Sequence, residues 1–231
     1  DERIAALAPK ILSYDRPGYF EYAGASGGFL DAFGYPFCRG RILDTIEQDD
    51  GQYDTSRDVF WASGACMMVR ADVFRKLGGF DGDFFAHMEE IDFCWRAQLA
   101  GYRIMVEPRS RVFHLGGGTL PNNSPRKLYL NYRNNLSMLY KNLSKRTLWP
   151  LLFTRMVLDG MSAFVFLMQG RRDFFKVVFR SHMDFYKILG MLRAKRRAIQ
   201  RDRTGSAAGN IYRGSIILRH ALGRRTFGRM M

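Results

Sequence analysis

The chain has 231 residues, with 47% hydrophobic and 14% aromatic content, so it can bury a core as one or two domains and is not a disordered chain. Its three cysteines, Cys38, Cys66 and Cys94, are far apart and form no CxxC pair, which argues against a disulfide framework or a zinc site and fits a reducing compartment. The net charge of +14 averages two unlike parts: 13 lysines and arginines face 18 acids up to Leu120, and 23 face 4 from Pro121 onward.

The opening "DERIAALAPKIL" carries neither an initiator Met nor a signal peptide and reads like the interior of a longer protein, so an upstream portion is expected. Its apolar run ends in a strand-like stretch. Residues 13–57 are rich in Gly, Asp and Tyr and read as mostly loop, with one short strand near Arg41–Ile46. The run "DVFWASGACMMVR" (58–70) reads as a strand buried on both faces. "ADVFRKLGG" is a short helix stopped by Gly78-Gly79. A second helix is expected from Met88 to Ala100, where Ile91, Cys94, Trp95 and Leu99 make one apolar stripe, and two short strands, "YRIMVEP" and "SRVFHL", follow it. Strands alternating with helices give an α/β layer.

From Arg126 the chain is helix-compatible almost throughout. Residues 148–169 are long and apolar enough to cross a bilayer, but Arg155 and Asp159 would each cost roughly 2.5–3.5 kcal/mol at its centre. Their i,i+4 spacing lets them pair, and a helix in the interface or packed on the domain is the better expectation. Residues 170–203 mix Lys and Arg with Phe, Val and Leu, the composition of a helix on an anionic membrane surface.

Within "HMEEIDFCWRAQ", Glu89, Glu90 and Asp92 fall within four positions. Acids in a first turn complement the helix dipole, and Asp92 stands four residues before Arg96 in the favourable order for an ion pair, so the cluster reads equally as a solvated helix start. Glu90 is the exception: it has a like-charged neighbour and no basic residue three or four positions on, a balance that suits a general base. His114 ends a strand beside Gly116-Gly117-Gly118, where a ligand or a structural role are both open. Trp61 is either a stacking face for a substrate ring or a core residue.

The ordered set Ser63-Gly64-Ala65, Gly78-Gly79-Phe80-Asp81, Phe84-Phe85, Glu89-Glu90-Ile91-Asp92 with Arg96, Gly101-Tyr102-Arg103 and His114 resembles the acceptor half of family-2 glycosyltransferases of GT-A architecture, in the rhamnosyltransferase-like branch. The downstream "SPRKLYLNYRNNLSMLYKN" is similar to that branch too, so the resemblance runs from about residue 20 to 190. It implies an α/β fold: a partial GT-A-type mixed sheet with flanking helices over residues 1–120, then a mostly helical, basic, membrane-associating region over 121–231. It implies an inverting transfer from a nucleotide-diphosphate sugar to a glycan or lipid-linked acceptor on the cytoplasmic face of a membrane. Glu90 would be the catalytic base, although the family more often has Asp there. Glu89, Asp92 and Arg96 would support it, His114 would help hold a divalent metal (Mg or Mn), and Trp61, Gly64, Arg126 and Lys127 would touch substrate.

The family also carries an Asp-x-Asp motif in a donor-binding half. "DGD" at Asp81–Asp83 falls in the Gly-Gly-Phe-Asp turn and is set aside, and the acidic stretch 47–54 follows no convincing strand. The donor-binding half is therefore expected to be absent, leaving a fragment inactive by itself. The other readings of the basic half are a nucleic-acid-binding protein and a non-catalytic membrane scaffold. Its cations alternate with bulky apolar residues and match no recognised nucleic-acid motif, so no nucleic-acid partner is expected.

Overall fold

The computed structural model describes residues 1–116 and 124–229, which divide into two compact units. The first takes in Asp1–Phe80, Phe93–Gly116 and the chain from Thr204 onward, and the second takes in Asp81–Asp92 and the chain up to Arg203. Composition places the division near residue 120, but the basic C-terminal stretch folds with the first unit, and the segment 81–92 folds with the basic helices.

The first unit is mixed α/β. Its first sheet centres on β1 (Ile4–Ser13), which runs parallel to β8 (Arg103–His114) and pairs antiparallel with β7 (Met68–Val69); β6 (Arg57–Asp58) closes the other edge of β8. The two short strands expected over 102–115 are one strand with an irregularity. The register steps from Pro9↔Glu107 to Lys10↔Arg111, setting Pro108 to Ser110 out of the ladder, where a residue without an N–H is tolerated.

Residues 13–57 hold more strand than their composition suggests. β2 (Gly28–Asp31), β3 (Pro36–Cys38), β4 (Arg41–Ile42) and β5 (Thr45–Ile46) form a second sheet, joined at its edge by β9 (Ile211–Tyr212), which runs parallel to β2. The carboxylate of Asp31 also accepts from the backbone N–H of Ile216, at the start of α7 (Ile216–Ala221), 3.1 Å away.

The run 58–70 is not one strand. Val59 to Ala62 are buried, and then the Ser63 hydroxyl accepts from Ala65 N–H at 3.2 Å and donates to Ala23 O at 2.7 Å, turning the chain at exposed Gly64. Trp61, only 3% exposed, donates from Nε1 to Phe29 O at 3.0 Å and lies flat on Gly28, where a Cβ would come within 2.0 Å of the ring. α1 (Ala71–Lys76) ends as expected: Gly78 and Gly79 adopt φ of 76° and 66°, and the Gly79 N–H returns to Phe74 O. α2 (Glu89–Leu99) follows, and the division between units falls within it.

The second unit is mainly helical, as expected for residues 126–200. Ser124 caps α3 (Pro125–Asn142) by accepting from Lys127 N–H, with Pro125 at the first position, and Ser144 caps α4 (Lys145–Met168) through Thr147 N–H. α5 (Arg172–Lys187) and α6 (Leu189–Arg201) complete it, and α3 packs against α4, α5 and α6. On α4, Arg155 and Asp159 do pair, at 2.8 Å, and both are buried.

Gly28 is set by the Trp61 ring, so Gly28→Ala should lower stability by about 1–3 kcal/mol, the range for overpacking a filled core. Chemical denaturation checks this, and an unchanged midpoint would mean that the ring has room to move.

Candidate active site

The segment from Asp81 to Asp92 belongs to the second unit and is held by α3. Phe85, His87 and Met88 adopt φ of 63°, 68° and 74°, a left-handed conformation unfavourable for side-chain-bearing residues. Asn134, fully buried, opposes that strain. Its Nδ2 lies 2.9, 2.8 and 2.8 Å from the carbonyl oxygens of Phe84, Ala86 and His87. Arg133 braces it, donating to Asn134 Oδ1 and to Asp83 O, each at 2.7 Å. Neither residue stands out by sequence. The signal is an Arg-Asn pair on the apolar-stripe side of a helix, where polar residues need partners.

This loop delivers Glu89 and Glu90 to the start of α2. Each has an enclosed Oε2 with no hydrogen-bond partner among the described residues, and so has His87 Nε2. Burial, and then the adjacent Glu89 charge, push the Glu90 carboxyl up to about 7, against the pull of the backbone N–H groups at the helix start. Burial also raises Glu89. Burial, and then Lys127, lower His87 and favour its neutral form. His87 was not singled out from the sequence, because nothing local predicts that its ring is enclosed.

Asp92 is not a solvated first-turn acid. It is 0% exposed, and its carboxylate accepts from Lys141 Nζ at 3.0 Å and from Asn142 Nδ2 at 2.8 Å. Lys141, itself buried, also pairs with Asp81 at 2.6 Å, and Lys195 pairs with both Asp81 and Asp83. Burial alone would raise Asp81, but the two lysine hydrogen bonds outweigh it and hold the carboxyl at about 2. Lysines thus pair with the carboxylates of both Asp81 and Asp83. Arg96 donates to Leu77 O at 2.6 Å and Gly79 O at 2.7 Å, tying α2 to the glycine turn of the first unit.

In the first unit, His114 ends β8 with its side chain a third exposed and Nδ1 3.4 Å from Glu21 Oε2, a contact without hydrogen-bond geometry. Glu21 is buried and passes so close to Gly116 that a Cβ there would lie 2.7 Å from Oε1. Gly117 and Gly118 lie outside the described residues. Among the described residues, no group of three or more His, Cys, Asp or Glu side chains is placed to hold a metal ion. His114 and Glu21 supply one imidazole nitrogen and one carboxylate, two of the donors a divalent metal would need, leaving phosphate oxygens and water to complete its shell.

Of the substrate contacts expected from the sequence, Trp61 is a core residue, since its ring face is covered by Gly28. Gly64 is exposed at its turn. Arg126 is exposed on α3, its guanidinium 4.9 Å from the centre of the exposed Phe85 ring. Lys127, on the same turn, bears on His87.

In this mixed α/β chain, an enclosed carboxyl raised toward neutrality at a helix start marks a candidate functional site. Residues 40–169, more than half of the chain, match the family model described as "Glycosyl transferase family group 2", and the chain belongs to this family. It is 30% identical over 115 residues to the N-acetylglucosaminyl-diphospho-decaprenol L-rhamnosyltransferase of Mycobacterium tuberculosis, covering 48% of this chain and 38% of that protein. It is 39% identical over 85 residues to the rhamnosyltransferase WbbL of Escherichia coli, covering 37% of this chain and 31% of that protein. With the low-salt glycan biosynthesis hexosyltransferase Agl10 of Haloferax volcanii it shares 40% identity over 64 residues, covering 28% of this chain and 21% of that protein. The chain thus spans well under half the length of these relatives.

The titration of Glu90 sets a stability trend. Its folded value of about 7 lies above the ordinary 4.5, so the folded state holds this proton more tightly than the unfolded chain does. The resulting stabilisation is complete below about pH 4.5 and is lost as pH rises through about 7. Glu90→Gln, which stays neutral, should match the parent at pH 4 and exceed it at pH 8, by an amount on the order of 1–3 kcal/mol. Thermal melts across that range check this, and a variant less stable at pH 8 would show that the carboxylate is satisfied.

Proposed function

We propose that this chain forms the acceptor side of an inverting glycosyltransferase on a GT-A-type scaffold, acting in cell-surface polysaccharide synthesis. The sugar moves from a nucleotide-diphosphate donor to a hydroxyl of a glycan or lipid-linked acceptor. Glu90 takes the proton from that hydroxyl as its oxygen attacks the anomeric carbon. The new C–O bond forms as the bond to the diphosphate breaks, and the electron pair departs with the leaving group on the opposite face, inverting the centre. Family membership and the named activities of the relatives support the reaction class, and two of those names make a rhamnosyl donor the first to assay. The observation that carries the role of Glu90 is its enclosed, unpartnered Oε2 on a carboxyl held at about 7, close to the pH at which a base must work.

The other roles follow from their surroundings. Burial keeps Glu90 high, and the charge of Glu89 adds to it. Asp92 and Arg96 fix α2 through their hydrogen bonds, and His87 Nε2 and Glu89 Oε2, enclosed and without hydrogen-bond partners among the described residues, are proposed partners for acceptor hydroxyls. Arg126, Lys127 and the exposed turn at Gly64 are proposed contacts to substrate, the two cations to a diphosphate. His114, with Glu21 beside it, would hold the divalent metal, which when bound neutralises charge on the leaving diphosphate. The basic helices support a seat on an anionic membrane at its cytoplasmic face, where lipid-linked acceptors would be met.

The test compares two variants of the full-length protein at saturating donor. Glu90→Gln should lower kcat by about 10²–10⁴-fold with little change in donor affinity. Asp92→Asn should instead cost about 3 kcal/mol of stability, the low end for breaking a buried ion pair because Asp81 still faces Lys141, and should keep turnover at a temperature where it is folded. Wild-type turnover by Glu90→Gln, with a folded but inactive Asp92→Asn, would move the base to Asp92.

A further inference from the structure

α4 has its polarity turned outward-in. Between Arg146 and Gln169 its charged residues are Arg155 and Asp159, and both point into the second unit, 5% and 1% exposed. Arg155 pairs with Asp159 and donates to Asn135 Oδ1 at 2.7 Å, and His182 of α5 approaches Asp159 at 3.3 Å. The outward stripe is Trp149, Phe153, Val157, Met161, Phe164 and Met168, each between 47% and 73% exposed. A helix facing water places these two sets the other way round. The stripe runs for about 29 Å at 1.5 Å per residue, and a continuous apolar strip of this kind marks an interaction surface.

Resting on the membrane reading above, we propose that α4 lies in the plane of an anionic phospholipid bilayer, with this stripe sunk to the boundary between headgroups and acyl chains. Three observations select this occupant and orientation. Lys145 and Arg146 at one end of α4, and Arg172 just past the other, are exposed where lipid phosphates would meet them. Exposed Phe175 and Phe179 of the adjoining α5 add to the apolar area. α4 is long and apolar enough to cross a membrane, but it packs against α5, whose exposed Arg172, Lys176 and Arg180 would each cost roughly 2.5–3.5 kcal/mol in the hydrocarbon centre. A helix bound to such a neighbour can enter only to headgroup depth.

The experiment mixes the full-length protein with vesicles of phosphatidylglycerol and phosphatidylcholine and repeats the binding at about 1 M salt, where electrostatic attraction reaches only about 3 Å. The inference expects a salt-resistant bound fraction. It also expects Trp149 fluorescence to be quenched more by bromines near the lipid carbonyls than by bromines at the acyl ends. Phe153→Glu combined with Met161→Glu should cut salt-resistant binding roughly a hundredfold, since each lost apolar contact is worth at least about 1.4 kcal/mol, with unchanged circular dichroism. Binding that salt removes completely overturns the insertion while leaving surface attachment standing, and absence of binding at any salt overturns both. Stronger quenching from the acyl ends means that α4 spans. A dimer that the double variant converts to monomer means that a second copy covers the stripe.

Discussion

One buried lysine organises the second unit. Lys141 is 1% exposed and sits between the carboxylates of Asp81 and Asp92. A charge removed from water is tolerable only when it is closely paired, and removing either partner is expensive. The turn at Asp81, the first turn of α2 and the last turns of α3 are therefore fixed together, because moving any one of them uncovers a charge. Asn142 on Asp92 and Lys195 on Asp81 and Asp83 extend the same constraint.

The ten residues between Asp81 and Asp92 are consequently tied at both ends to one helix, and Asn134 grips them in the middle. Such a span can hold left-handed backbone at Phe85, His87 and Met88 without relaxing. Functional side chains keep a fixed geometry when the elements around them are packed and hydrogen-bonded. The electrostatics divide along the same line. The flanking acids have lysines and Asp81 sits at about 2, whereas Glu90, raised by burial and then by the Glu89 charge, sits at about 7. Acids within one short segment are thereby driven to opposite ends of the carboxyl range, the pattern from which acid–base roles are read.

What depended on near neighbours was legible in the sequence. The Gly78-Gly79 stop, the extent of α2, the helical run after residue 125 and the Arg155–Asp159 pair follow from spacing and from glycine's freedom at positive φ. The unusual position of Glu90 was visible as an acid without a local cation. What depended on distant partners was not. The burial of Asp92 rests on residues 49 and 50 positions away, and β9 pairs residue 211 with residue 30. The apolar run 58–70 looked like a strand because its composition could not reveal the Ser63 turn or the bed of Gly28 beneath Trp61. On α4 the pattern gave two faces but not which one is wet, since Arg155 and Asp159 could mark either.

Among the described residues, enclosed atoms without partners cluster at the proposed base, while others, such as Asn142 Oδ1 and Tyr212 Oη, stand singly in the scaffold. An enclosed polar atom without a partner costs about 1–3 kcal/mol, and the second unit concentrates three of them, on His87, Glu89 and Glu90, within four residues. Lys141 could in principle have faced Glu90, which would have relieved that cost. It would also have drawn the carboxyl down toward the value seen for Asp81, leaving an anion with little appetite for a proton near neutrality. Spending the lysines on Asp81, Asp83 and Asp92 keeps the segment rigid and denies Glu90 a counter-ion. Burial and the Glu89 charge can then hold the carboxyl of the proposed base at about 7, because its neighbours in the chain hold the cations instead.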